Sequence, residues 1–113
     1  MKIIKDNISI KELKEMAHNL FDNLVKAVVD VEKEIMAVDA GLHSDEEELF
    51  LQNGSRQQDL WGINIYPEKQ DDSWIEFDSM INLRPTQGNC SRGIENPEIK
   101  EKIKNIVNKL VLR

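Results

Sequence analysis

Apolar positions along this chain follow two different periods. From Ile10 onward, Ile10, Leu13, Met16, Ala17, Leu20, Phe21 and Leu24 recur at intervals of three and four, the signature of an amphipathic helix. Ser9 and Glu12 stand before this run at the S-x-x-E spacing of a capping box, with Ile8 and Leu13 at the spacing of a hydrophobic staple. The pattern predicts a helix over about residues 10–22. A second stripe, Ile99, Ile103, Ile106, Val107, Leu110 and Val111, has lysines opposite it. Asn96 as N-cap, Pro97 at the first helical position and Glu98 in the first turn mark its start.

Between the two helices the period drops to two. Val25, Ala27, Val29 and Val31 recur at every second position, as do Met36, Val38 and Ala40, which predicts two strands around the sequence VEKE. An even-numbered loop puts both apolar sets on one face, whereas an odd one would set Asp39 beside Ala27. A second hairpin is predicted from DLWGINIYP and SWIEFDSMINLRP, joined by the turn-rich PEKQDDS. Pairing Ile65 with Ile75 places Ile63 opposite Phe77 and Asn64 opposite Glu76. The stretch LHSDEEELFLQNGS supports two readings. Ser44 and Glu47 have capping-box spacing and predict a short helix near residues 45–52, whereas Asn53-Gly54 is a strong hairpin turn signal. The element order predicts one α+β domain over residues 1–113. Its antiparallel sheet has about four strands in two hairpins, covered on one face by the N-terminal and C-terminal helices.

Charge narrows the function classes. The net charge is −6 across 113 residues, with acids concentrated between Asp39 and Glu48 and lysines near the C-terminus. A surface of that sign does not suit nucleic acid or an anionic membrane, which need clustered cations. No apolar run has the length of a membrane span and no signal-peptide pattern opens the chain, so a cytoplasmic protein is expected. The single cysteine, Cys90, excludes an internal disulfide.

The composition changes most sharply at SMINLRPTQGNCSRGI, residues 79–94, which holds two of the four arginines and no lysine. Arg84 lies at the end of the predicted second-hairpin strand, whose polar face carries Glu76, Asp78, Asn82 and Arg84. A guanidinium held there suits a carboxylate or phosphate, and the glycine-bearing loop at 86–93 offers backbone amides beside it. The expected arrangement is Arg84 holding an anion, Gly88 and Asn89 completing the cradle and Asn82 orienting it. Arg92 would add a second charge, with Asn64 and Tyr66 at the border. Internal pairing of Arg84 with Asp78 or Glu76 is the competing structural reading. No P-loop or other cofactor motif is present, and no cofactor is expected.

A second class of function rests on His43 and Asp45, which with nearby carboxylates suggest a divalent metal and a small hydrolase or transferase. A third is a structural homodimer or partner-binding subunit, using the mixed face of the first hairpin: Lys26, Val28, Asp30, Ile35, Ala37 and Asp39. The strings W-G-x-N-x-Y-P (from Trp61) and N-x-R-P-x-x-G-N (from Asn82), with HSDEEELFLQNGS before them and IENPEIKEKI after, cover much of the chain. In them the sequence resembles an uncharacterised family of short prokaryotic proteins known only as a domain of unknown function. The resemblance implies a small stand-alone protein and carries over no activity, cofactor or catalytic residue.

Overall fold

In the computed structural model, which describes residues 1–113, the chain runs β1 (Lys2–Ile4), β2 (Ile8–Ser9), α1 (Ile10–Leu20), β3 (Val25–Asp30), β4 (Ile35–Val38), α2 (His43–Gln52), β5 (Leu60–Ile65), β6 (Ile75–Glu76), α3 (Pro97–Leu110) and β7 (Val111–Leu112). Five strands form an antiparallel sheet in the order β1-β4-β3-β5-β6, while β2 and β7 pair in parallel as a short separate ribbon. The fold is α+β, as the element order predicts.

Each element follows from local chemistry. Ser9 caps α1 by accepting from the Glu12 N–H at 3.1 Å, but the reciprocal half of the box is absent because the Glu12 carboxylate pairs with Lys2 Nζ at 2.8 Å. Asn96 accepts from the N–H groups of Glu98 and Ile99 at the start of α3. β3 and β4 are joined by the four residues 31–34, with Asp30 opposite Ile35, so both apolar sets share a face as parity requires. The buried Asp30 carboxylate fastens this turn by accepting from the Glu32 and Lys33 N–H groups and from Ser55 Oγ.

The odd-numbered residues of β3 and β5 meet α1 and α3 in the main core. There Val25, Ala27, Val29, Trp61, Ile63 and Ile65 pack with Leu13, Ile103, Val107 and Leu110. Burying each such side chain contributes roughly 1.5–3 kcal/mol. The sheet is covered on its other face as well, which departs from the one-sided expectation. α2 lies across it, and Val28, Ala37, Phe50 and Leu60 form a second, smaller core. The first-hairpin face expected to receive another copy is therefore occupied from within the chain, and Val28 and Ala37 are fully buried. β6 is also shorter than predicted. The pairs Asn64–Glu76 and Ile65–Ile75 form in the expected register, after which the chain leaves the sheet and passes through short 3₁₀ turns at Met80–Asn82 and Pro85–Gln87.

Candidate functional site

Where β6 departs, the outer edge of β5 needs other partners, because a buried backbone amide or carbonyl is costly to leave unpaired. Side chains supply them. The Asn82 amide mimics a strand: its Oδ1 accepts from Gly62 N–H at 2.8 Å and its Nδ2 donates to the Gly62 carbonyl at 3.0 Å. Two residues along, Arg84 donates to the Leu60 and Gln57 carbonyls and to Gln87 Oε1, with its guanidinium 4.2 Å from the Trp61 ring centre. The spacing of Asn82 and Arg84 thus matches that of the outward-facing groups of Gly62 and Leu60, which recur every second residue along a strand. Gly62 is required here because a Cβ would come within 2.6 Å of Ser79 Cβ and Oγ.

The loop after Arg84 closes on itself. Arg84 and Asn89 exchange both backbone hydrogen bonds, at 2.8 and 3.1 Å. The Asn89 side chain donates to the carbonyls of Asn82 and Gly93 and accepts from Glu95 N–H. Gly88 supplies the left-handed turn (φ 76°), and its amide is bonded to the Pro85 carbonyl. This corrects the expected anion cradle. Arg84, Asn82 and Asn89 are buried and bonded to main chain, and the amides of Gly88 and Asn89 are already bonded within their own turn. Arg84 pairs with neither Asp78 nor Glu76. Burial pulls its pKa below the ordinary arginine value, only partly opposed by the charge of Glu47.

One concave site lies beside this loop. A cleft of about 470 Å³ is lined by Leu24, Lys26, Leu42, His43, Ser44, Asn64, Tyr66, Glu76, Asp78, Ser79, Met80, Ile81 and Arg92. Three of the expected residues, Arg92, Asn64 and Tyr66, meet here; Arg84, Asn82, Gly88 and Asn89 do not line it. On one wall Asn64 Nδ2 donates to Glu76 Oε1 at 2.8 Å and Tyr66 O–H donates to the same oxygen at 3.1 Å. Burial and then this carboxylate raise the tyrosine pKa. Arg92 Nε donates to Asp78 Oδ1 at 2.7 Å, with its other nitrogens unpaired. Lys26 enters from β3 opposite Asn64, with no carboxylate partner.

The N-terminus of α2 forms the opposite wall. Helix α2 begins at His43, earlier than Ser44 and Glu47 suggest, and its N-cap Leu42 offers no side-chain acceptor. His43 explains the early start: its Nε2 lies 2.8 Å from the Ile63 carbonyl and ties the first turn to β5. A carbonyl can only accept, so Nε2 carries the proton and Nδ1 is left as an acceptor. Burial lowers the His43 pKa, and the charges of Lys26 and Arg92 act in the same direction. His43 is thus a neutral acceptor at the foot of an uncapped helix start.

The His43–Asp45 pairing needs correction too. Residues two apart on a helix point to different sides. His43 faces the cleft, while Asp45 lines a separate depression with Asp39, Glu48 and Gln52. No group of three His, Cys, Asp or Glu side chains is arranged to hold a metal ion.

Sequence reasoning did not place Lys26 or Ser44 at a binding cleft, or Glu46 in the core. Lys26 reads as an ordinary polar position on the second face of β3, and only the β3–β5 register puts it opposite Asn64. Glu46 is fully buried between α2 and the sheet, and neither carboxylate oxygen has a hydrogen-bond partner. Burial raises its pKa to about 10; the main chain at Ala40, short of a hydrogen bond, offsets only part of that.

No curated protein and no solved structure matches the chain significantly. A family model does match, over residues 2–110: DUF5674, described as a protein of unknown function. The chain belongs to that family.

Proposed function

We propose that this member of the DUF5674 family is a small cytoplasmic binding domain that takes an anionic group, carboxylate or phosphate, in the cleft between α2 and β5. Its carrying observation is that an uncapped helix start opens on the same cleft as two cations. The first-turn N–H groups of α2 carry the partial positive charge of the helix dipole and suit an anion. Lys26 adds a full charge from β3, and Arg92, paired through Nε with Asp78, adds the donors of its remaining nitrogens. At about 470 Å³ the cleft falls within the roughly 300–1,000 Å³ of small-molecule sites. The free, exposed Cys90 fits a reducing compartment.

Titration of ¹⁵N-labelled protein with inorganic phosphate and with acetate tests this reading. Amide shifts should centre on Leu42 to Ser44, and Lys26→Ala and Arg92→Ala should each weaken the response by about tenfold, the loss of one charge-assisted contact. Arg84→Ala is the control: it should lower stability by about 2–4 kcal/mol, because the Leu60 and Gln57 carbonyls lose their donor, yet leave anion affinity unchanged. If instead a folded Arg84→Ala protein loses the anion while Arg92→Ala retains it, the site is the 86–93 loop and the cleft reading is wrong.

A further inference from the structure

The cleft presents carboxylate acceptors as well as cations. Asn64 is more than nine-tenths buried, yet its Oδ1 has no hydrogen-bond partner. Its Nδ2 is fixed by Glu76 Oε1 and the Asp78 carbonyl, which determines which way the amide points. The second oxygens of Glu76 and Asp78 and Nδ1 of His43 also have no bonded donor, and all four residues line the same cleft. Glu76 is exposed and Asp78 half-exposed, so their free oxygens are open to a ligand that brings hydrogen-bond donors. The charges agree. Lys26 and Arg92 are balanced by Glu76 and Asp78, so a simple anion gains from one pair and is repelled by the other. A ligand carrying both signs satisfies both.

The third element is apolar. Leu42 and Met80 are 57% and 63% exposed at the lip of the cleft, next to Leu24 and Ile81. Resting on the anion reading above, we infer that the ligand is a zwitterionic amino acid with an apolar side chain. Its carboxylate sits at the α2 start between Lys26 and Arg92. Its ammonium donates to the free carboxylate oxygens of Glu76 and Asp78. Its side chain covers Leu24, Leu42 and Met80.

The test is calorimetric titration with leucine, methionine and phenylalanine, each alongside its N-acetyl form and the corresponding amine lacking the carboxylate. At least one free amino acid should bind, with both altered forms weaker by tenfold or more. Glu76→Gln keeps an acceptor for Asn64 and Tyr66 but removes the charge, so it should narrow the gap between the free and N-acetylated ligand while the fold stays intact by circular dichroism. N-acetyl forms or phosphate binding as well as the free amino acid would overturn the zwitterion and leave the anion site standing. An amine binding as well as its amino acid would overturn both. So would no binding by any of these probes.

Discussion

Glu46 shows how one residue sets a property of the whole protein. A carboxyl with an ordinary pKa of 4.5 is held at about 10 by burial, so the folded state keeps a proton that the unfolded chain releases. The sign follows from linkage. Below pH 4.5 the group is protonated in both states and costs nothing; as pH rises toward 10, stability falls by up to about 1.4 kcal/mol per unit. At pH 7 the accumulated cost is roughly 3 kcal/mol, a large share of a typical domain's stability. His43 acts in the other direction. Its pKa is lowered, so the unfolded chain takes up protons more readily below the ordinary value of 6.5, and stability falls as pH drops through that range. Urea unfolding at pH 5, 7 and 9 should show wild-type stability declining across the upper interval and Glu46→Gln nearly level. Parallel curves would mean that Glu46 is not held protonated. Neither residue was legible as a core position. The buried positions of α2 are His43, Glu46 and Phe50, so two of the three carry polar side chains and the apolar period is hidden.

Among the elements, α1, α3 and the β3–β4 hairpin were legible because their signals are local: a cap, a stripe and face parity. The short second half of the other hairpin was not. Residues 77–84 alternate well enough to pass for strand, but at Gly62 the crossing segment sits where a side chain would be, and Asn82 and Arg84 replace the ladder. Arg84 looked like a ligand-binding residue for the same reason that it can bridge several carbonyls: its planar fork of donors. Sequence alone does not say whether the acceptors will be a ligand's or the chain's own. Gly62→Ala should destabilise by about 1–3 kcal/mol, because the new methyl collides with Ser79. The same variant should also shift the amide signals of Ser79 to Ile81 along the cleft. A melting temperature within a degree of wild type would show that the close approach is not rigid.

At the scale of the molecule, the two chain ends are tied together, which no local pattern announces. β1 and β2 are three and two residues long, and β2 finds its partner, β7, at the far end of the sequence. Val111 is buried there, and Arg113 stacks 4.3 Å from the Trp74 ring centre while donating to the Lys69 carbonyl at 2.7 Å. Removing residues 111–113 should cost about 3 kcal/mol and lower the melting temperature by ten degrees or so, while leaving ligand affinity at the cleft unchanged. A truncated protein that melts like the full chain would show that the ribbon contributes little. The side-chain ladder along β5 has a consequence for how copies of this protein behave when crowded. A bare strand edge is a template on which a foreign strand can grow, the first step toward fibrils. With β6 only two residues long, most of that edge would lie open, but the Asn82 amide and the Arg84 guanidinium already occupy its hydrogen-bonding groups. The same two side chains that hold the loop in place thus also keep an incoming strand from docking along this edge.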